Sequence, residues 1–519
     1  MADYILEKLT VSARKAPVNV DELLTSAISK AAGADPRTLE YRILNKSIDS
    51  RRSEAVFVYR LLLSTPQRLE LPAASQAQLE TLKKAELPFP EKINLQNPLV
   101  VGTGPAGIFG ALALAMAGCR PVIIDRGHPV DERKAAWENF LKSRVLDTEN
   151  NLLIGEGGAG AFSDGKLYTG TKDVNRRFIL EQMIEAGAPA EIAYLSRPHL
   201  GSDKLPGISI KLREKIESLG GTFLFGKEVT DIYVKEGKCR GVYCGSEIIS
   251  APAVLLAPGL GGRELVKKLT RQAAFKLKPF QMGCRIEHPQ ALIDRCQYHT
   301  SARPAALGAA EYHLVSRPGD AWNVSSFCMC PGGTVVNATA WEKHSISNGM
   351  SNYARSGEFA NSCLIATLGA DYFSGPQEAY GLIERIEKSL FLAGGGDYTM
   401  IAQDATAFLN GKTALKNSRS SCEVGIVPGR IDHLLITELQ SALRAALKFF
   451  DRKCPGFIRD GKFIGVESCV SSPVRLERNE KCESTSLPGL YPAGEGVGAA
   501  GGILSGAADG LRCALSMLQ

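Results

Sequence analysis

The chain predicts an α/β fold in several domains, and three observations carry that expectation. An apolar strand, Leu99-Val100-Val101, runs into the glycine turn Gly102-Thr103-Gly104-Pro105-Ala106-Gly107 and then into an Ala/Leu-rich helix to Ala117. A second apolar strand, Pro121-Val122-Ile123-Ile124, ends at Asp125. Near the C-terminus, Gly489-Leu490-Tyr491-Pro492-Ala493-Gly494-Glu495-Gly496 repeats the passage from strand to glycine turn and leads to a helix from about Gly502 to Met517.

Each part of the first unit has a physical reason. Gly102 permits the tight turn, Gly104 lets a pyrophosphate approach the backbone, and Gly107 lets the helix lie close on its strand. Pro105 and Ala106 open that helix, whose free N–H groups and positive dipole end face the phosphates. Asp125 stands about twenty residues beyond the glycines, where a ribose-binding carboxylate belongs, with Arg126 beside it. Strand, turn, helix, strand and acid together predict a dinucleotide site.

The first domain, residues 1–95, reads as a small α/β unit of ferredoxin-like type. It has strands near Tyr4–Val11, Glu40–Ile48 and Ala55–Leu63 and a helix near Val20–Ala32. Its basic residues Arg42, Lys46, Arg51 and Arg52 are interleaved with Asp35, Glu40, Asp49 and Glu54, so a solvated or docking face is expected and no nucleic-acid partner. Residues 96–267 form the first part of the dinucleotide-binding domain. Within it, Ile208 to Leu219 is an amphipathic helix ended by Gly220-Gly221, Thr222 to Phe225 is a strand, and Glu228–Ile232 and Gly241–Cys244 alternate as a meander. Ala253 to Gly259 is a buried strand closing on glycine. Residues 268–460 change to hairpin-like segments with two amphipathic helices and read as an inserted α+β substrate domain. Residues 461–519 return to the cofactor.

With 519 residues, 44% hydrophobic and 22% charged, the chain is long enough for two to four cores. A net charge of +6 over that length implies no nucleic-acid binding. There is no apolar run of membrane-spanning length and the acids Asp3 and Glu7 do not fit a signal peptide, so a cytoplasmic protein is expected. The 13 cysteines are odd in number and lack metal spacing, which suits reduced thiols and no metal site.

The order of glycine turn, Asp125, the strand ending Ala257-Pro258-Gly259 and the late Gly494-Glu495-Gly496 turn resembles the FAD-binding flavoproteins of the glutathione-reductase structural type. The resemblance implies an FAD-binding Rossmann-like domain. In it Val229 meets the adenine through its backbone, Pro258 and Gly259 close the strand at the cofactor, and Gly494 and Glu495 meet the ribityl chain and flavin. Glu495 stands where that pattern often carries Asp. A narrower similarity lies in Gly155 to Leu167, Lys278-Pro279-Phe280, Gly283 to Pro289, Phe327 to Gly333 and Asn348 to Ser351. These segments resemble a bacterial family of FAD-dependent dehydrogenases, often called NAD(P)/FAD-dependent oxidoreductases. In the segment Glu467 to Pro473, Cys469-Val470 stands where Arg-Thr is expected from that resemblance.

In the loop from Gly155 to Lys166, backbone donors at Gly157 and Gly158 and the side chains of Ser163, Asp164 and Lys166 are expected around the flavin or its pyrophosphate. The helix beginning at Gly502 and Ile503 points N–H groups at the pyrimidine edge, where charge collects on reduction. Arg285 and Glu287 share one strand face and His288 the other; with Tyr353 they are the candidates for holding an anionic small-molecule substrate and moving a proton. Arg355 is a weaker candidate. On a regular strand Cys328 and Cys330 lie about 6.6 Å apart on one face, too far for an easy bridge, which favours small buried residues over a redox pair. The function expected is hydride transfer between a small substrate and non-covalent FAD, with NAD(P)H as a transient donor because one nucleotide unit is legible. The alternatives are a flavin-dependent RNA-modifying protein and a flavin-bearing regulatory or scaffolding protein.

Overall fold

The computed structural model describes the chain except residues 14–20, 52–53, 81, 169–172 and 320, so Val20 and Arg52 lie outside the described residues. The N-terminal unit has strands β1 (Ala2–Ser12), β2 (Glu40–Asp49) and β3 (Val56–Thr65) around a helix at Asp21–Ala32. They form an antiparallel sheet in the order β1-β3-β2. Alternate residues of β3, Phe57, Tyr59, Leu61 and Leu63, are buried with Leu24 and Ile28 of the helix, as a half-buried strand requires. The ferredoxin-like plait is only partly realised: among the described residues the fourth strand and second long helix are absent, and the helix at Gln76–Glu80 has five residues, none buried. Prolines 66 and 72 stop a fourth strand from continuing the ladder. The chain instead patches the β1 edge with Ile5 N–H to Pro72 O and Ala74 N–H to Asp3 O, and β2 is tied to the body through Lys46 N–H to Tyr194 O.

The next strands are β4 (Leu99–Val101), β5 (Val122–Ile124), β6 (Thr222–Leu224), the meander β7 (Asp231–Lys235), β8 (Lys238–Cys244) and β9 (Glu247–Ser250), and β10 (Val254–Leu256). The inserted region supplies β11 (Phe275–Leu277), β12 (Phe280–Pro289), β13 (Val315–Ser316), β14 (Val324–Cys330), β15 (Thr334–Asn337), β16 (Ser347–Met350), β17 (Phe359–Leu368), β18 (Met400–Asp404), β19 (Ile426–Pro428), β20 (Lys462–Glu467) and β21 (Val474–Leu476); β22 (Leu490–Pro492) follows. The glycine-turn half, which the sequence predicts to hold the cofactor, is a parallel sheet in the order β22-β10-β4-β5-β6. The insert is a seven-stranded sheet in the order β13-β14-β17-β12-β20-β18-β19. It reaches past residue 460, because β20 pairs with both β12 and β18.

Helix Pro105–Met116 begins with Pro at its first position and ends in a Schellman motif at Gly118, where Cys119 N–H reaches Leu114 O and Gly118 N–H reaches Ala115 O. It crosses the C-terminal helix Ile503–Met517 at glycines: a Cβ on Gly510 would lie 1.9 Å from Ala106 O. Cysteine usage departs from the expectation of thiols alone. Cys296 and Cys454, 158 residues apart, form a disulfide with Cα atoms 5.3 Å apart, tying helix Gln290–Tyr298 to the end of helix Thr437–Lys453. No sequence spacing reports a pair that only the packing of two distant helices brings together. Among the described residues no helix is long and apolar enough to cross a membrane, and no cluster of metal-ligating side chains occurs.

Candidate functional site

The glycines of the β4 turn serve different ends. Gly102 has φ 95° and a Cβ there would sit 2.2 Å from Ala257 O, while a Cβ on Gly107 would sit 1.8 Å from Gly102 O. Both are demanded by packing. Gly104 has an ordinary φ of −69°, and its nearest neighbour to an added Cβ is Gly158 Cα at 3.9 Å. Gly259 after β10 and Gly502 before the last helix would each place a Cβ in open space. Gly104, Gly259 and Gly494 follow β4, β10 and β22, neighbours whose carboxyl ends form one edge of the sheet, the edge at which open α/β sheets take ligands.

Asp125, buried at the end of β5, accepts hydrogen bonds from Thr103 N–H (2.8 Å), Thr103 hydroxyl (2.5 Å) and Gly127 N–H (2.8 Å). A carboxylate has about four lone-pair sites, so one remains. Arg126 keeps a buried Nε–H with no hydrogen-bond acceptor. Val229 is buried in the stretch before β7, which begins at Asp231 rather than Glu228. The preceding residues are drawn to the Asp125 loop instead, through Gly226 N–H to Gly127 O and Lys227 N–H to Asp125 O.

The 151–166 loop is built on Arg133, which the sequence reading missed. Val130, Arg133, Trp137 and Phe140 are the buried positions of helix Val130–Ser143, so the spacing alone put this arginine on the inner face. Its guanidinium donates to Asn151 O (2.8 Å), Gly158 O (3.0 Å) and Glu156 O, and burial brings it down to about 10. Gly157 N–H reaches Thr103 O (3.0 Å), which lays the loop on the glycine turn. The Ser163 hydroxyl closes its own turn on Gly160 O (2.8 Å). Asp164 faces Lys166 (2.6 Å) and a bidentate Arg355, and Lys166 also donates to Met329 O, so these residues join the loop to the inserted domain. Burial opposes ionisation of Asp164, but the two cations hold it at about 2.

At the other end of the site, Asp509 binds Gly494 N–H (2.9 Å) and Arg478 (2.6 Å), and Arg478 also donates to Pro492 O (2.8 Å). A buried acid in the apolar run Ile503 to Leu511 was the signal for this clamp. Glu495 receives Ser472 N–H at 3.0 Å and lies 3.4 Å from Lys278 Nζ. Ile503 is buried, 3.3 Å from where a Cβ on Gly160 would lie, and Pro258 stands against Gly262.

Arg285, Glu287 and His288 are all buried on β12 but turn to separate partners. Arg285 spends its donors on Glu467 (3.0 Å from Nε), Asn361 (2.6 Å) and Asn348 (3.3 Å). Burial pushes the Glu467 carboxyl up, against the pull of Arg285. Glu287 accepts from Ser421 (2.5 and 3.0 Å), leaves its second oxygen unpaired, and is likewise raised by burial. His288 bonds Phe457 O through Nε2 (2.8 Å) and is brought down to about 4 by burial. Tyr353 makes its contacts outside the inserted region: its hydroxyl meets Glu191, its N–H meets Asp203, and its ring stacks on His199 at 5.3 Å.

The regular strand expected at the two cysteines is broken by a bulge between Phe327 and Cys330, with Cys328 at φ 42°. Cys328 is exposed and Cys330 buried, so they do not share one face as a regular alternation requires.

Residues 279–470 match the family described as FAD-dependent protein, C-terminal domain-like. A protein of Clostridium beijerinckii (strain ATCC 51743 / NCIMB 8052), described only as an uncharacterized protein, is 38% identical over 494 residues, covering 92% of each chain. Protein FixC of Escherichia coli (strain K12) is 26% identical over 224 residues, 41% of this chain and 48% of FixC. Among solved structures, a geranylgeranyl bacteriochlorophyll reductase-like protein from Thermoplasma acidophilum aligns at 12% identity and a TM-score of 0.35, covering 82% of this chain and 78% of that one. By its identity along nearly the whole of both sequences, the chain belongs to the family of the clostridial protein, and its residues 279–470 are similar to the FAD-dependent protein, C-terminal domain-like family.

Proposed function

We propose that the protein holds FAD non-covalently across the carboxyl ends of β5, β4, β10 and β22 and acts as an oxidoreductase on a small substrate reached from the inserted domain. One observation carries the reading: Gly104, whose φ of −69° demands no glycine, leaves open space beyond β4, on the sheet edge where Asp125 follows β5. The residues present fit the cofactor. Gly102, Gly104, Pro105, Ala106 and Gly107 would hold the pyrophosphate, and Asp125 and the unpaired Arg126 Nε–H the adenosine side. Gly494 and Glu495 would hold the ribityl side. Bound there, FAD supplies two-electron chemistry, and the protein contributes position and electrostatics.

The chain's own groups have defined tasks in this reading. Asp509 and Arg478 fix the Gly494 turn, Arg133 fixes the covering loop, and Asp164, Lys166 and Arg355 brace that loop against the insert. Arg285 and Glu467 act as a buried brace of the insert beneath Cys328, because their hydrogen bonds are already satisfied by protein. NAD(P)H is proposed as a transient donor in the same cleft.

Acid release from the purified protein followed by mass spectrometry tests the cofactor, with FAD as the expected product. A colourless protein that cannot be reconstituted with FAD overturns the reading. Stopped-flow reduction by NADH and NADPH, with and without a product analogue, tests the donor. Saturable binding that the analogue does not compete for would contradict a shared cleft.

A further inference from the structure

We infer that a recess between the two halves of the molecule is a subsite for a short-chain carboxylate, with Arg263 as its anchor. The inference rests on the flavin reading and deepens it by naming a substrate class. The recess is lined by Gly259 and Arg263 from the segment after β10. Gly496, after β22, closes one side; Cys469 and Ser471 from the segment after β20 and Tyr380 from helix Pro376–Ala393 close the others. It therefore abuts the strand ends where the cofactor is proposed, and it draws on both halves of the chain.

Arg263 is 5% exposed, with its guanidinium carbon 3.4 Å from the centre of the Trp341 ring. One edge is neutralised: Nη1 donates to Glu387 at 2.8 Å, and the second Glu387 oxygen takes the Ser468 hydroxyl at 2.5 Å. The other edge carries an ion pair but no hydrogen bond. Arg263 Nε–H has no hydrogen-bond acceptor, the Glu264 carboxylate lying 3.6 Å away on an exposed side chain. The Trp341 indole N–H, in the same stack, is also buried without an acceptor. Buried donors left unpaired are costly and rare, so the unpaired Nε–H of Arg263, the one of the two residues that lines the recess, points to a missing acceptor.

The rest of the lining asks for the same chemistry. Ser471 Oγ accepts Gln281 N–H at 2.9 Å, which leaves its proton to give. Both oxygens of Glu387 are taken, and the Ser472 hydroxyl is spent on Val474 O at 3.0 Å. The Arg263 Nε–H and the Ser471 proton are thus left to donate, and a ligand with oxygen acceptors would satisfy them. A planar guanidinium held by stacking suits a carboxylate better than a point cation does. Leu260 and Ile383 add an apolar side to the lining, which a short carbon chain beside the carboxylate would contact.

The chain has three tryptophans, so 5-fluorotryptophan labelling and ¹⁹F NMR isolate Trp341, with Trp341→Phe as the assignment. FAD-loaded protein is titrated with propionate and with the isosteric neutral propionamide, and FAD is quantified by acid release from the same sample. A saturable shift of the Trp341 resonance with propionate, absent with propionamide and at least tenfold weaker in Arg263→Gln, is expected. Silence to propionate, an equal response to the amide, or unchanged affinity in Arg263→Gln overturns the subsite. If Arg263→Gln does not fold, Ser471→Ala takes its place, with at least threefold weakening expected and unchanged affinity overturning. A sample that holds FAD but ignores propionate defeats the subsite alone, whereas a sample without FAD defeats the flavin reading.

Discussion

Two glycines three residues apart show what a single position can reveal. At Gly104 the backbone angles suit any residue and an added Cβ meets almost nothing, whereas at Gly107 it collides with Gly102 O. Gly104→Val is therefore expected to leave stability within about 1 kcal/mol and to abolish FAD retention. Gly107→Val is expected to cost roughly 3 kcal/mol or more through overpacking. Thermal unfolding and FAD content of both variants check the contrast. His288 gives a second residue-scale test. It titrates near 6.5 when unfolded and near 4 in the folded protein, so between those values the unfolded chain binds the extra proton and stability falls as pH falls. The loss amounts to about 3 kcal/mol by pH 4. His288→Gln, which can still donate to Phe457 O, should flatten urea stability against pH in that window; an unchanged slope would show that other groups set it.

Elements were legible where period and caps agree and illegible where a ladder breaks. The helix from Pro105 shows its start in proline and its end in Gly118, and the β3 alternation shows its buried face. The bulge at Cys328 has no such mark, because an extra residue in a strand is decided by what lies across the ladder. Arg133 lies between these cases: its helical spacing was readable, but its partners, the carbonyls of Asn151, Glu156 and Gly158, lie on a loop of no regular period. Arg133→Met should leave those carbonyls unpaired at a cost of about 3 kcal/mol and speed FAD dissociation. Equilibrium denaturation and cofactor release rates measure both.

At the scale of the molecule, the cofactor half and the insert are joined by a few buried charges. Asp164 is 3% exposed between Lys166 and Arg355. Asp164→Asn removes the shared anion of two half-buried cations, leaving Lys166 without a carboxylate and Arg355 with Glu311 at 3.6 Å, so a loss of about 3 kcal/mol is expected, read from urea unfolding at neutral pH. The wild-type contribution is present above the ordinary carboxylate value of 3.8 and is lost as pH falls through about 2. A variant as stable as the parent would mean that the bridge does not couple the halves.

The sequence by itself determined the unit of strand, glycine turn and helix, its following strand and the glycines that shape it, because those signals are local: a turn, a helix start and a strand end lie within about thirty residues of one another. Even the return of β22 was readable as a strand closing on glycine. Tertiary structure alone decided that Arg285, Glu287 and His288 face three separate partners, that Arg263 and Trp341 stack beside Cys469, and that Cys296 meets Cys454. Each of those outcomes depends on residues about 80 to 180 positions apart being brought together by the packing of one sheet against its helices, and side-chain partnership over such separations leaves no period in the chain.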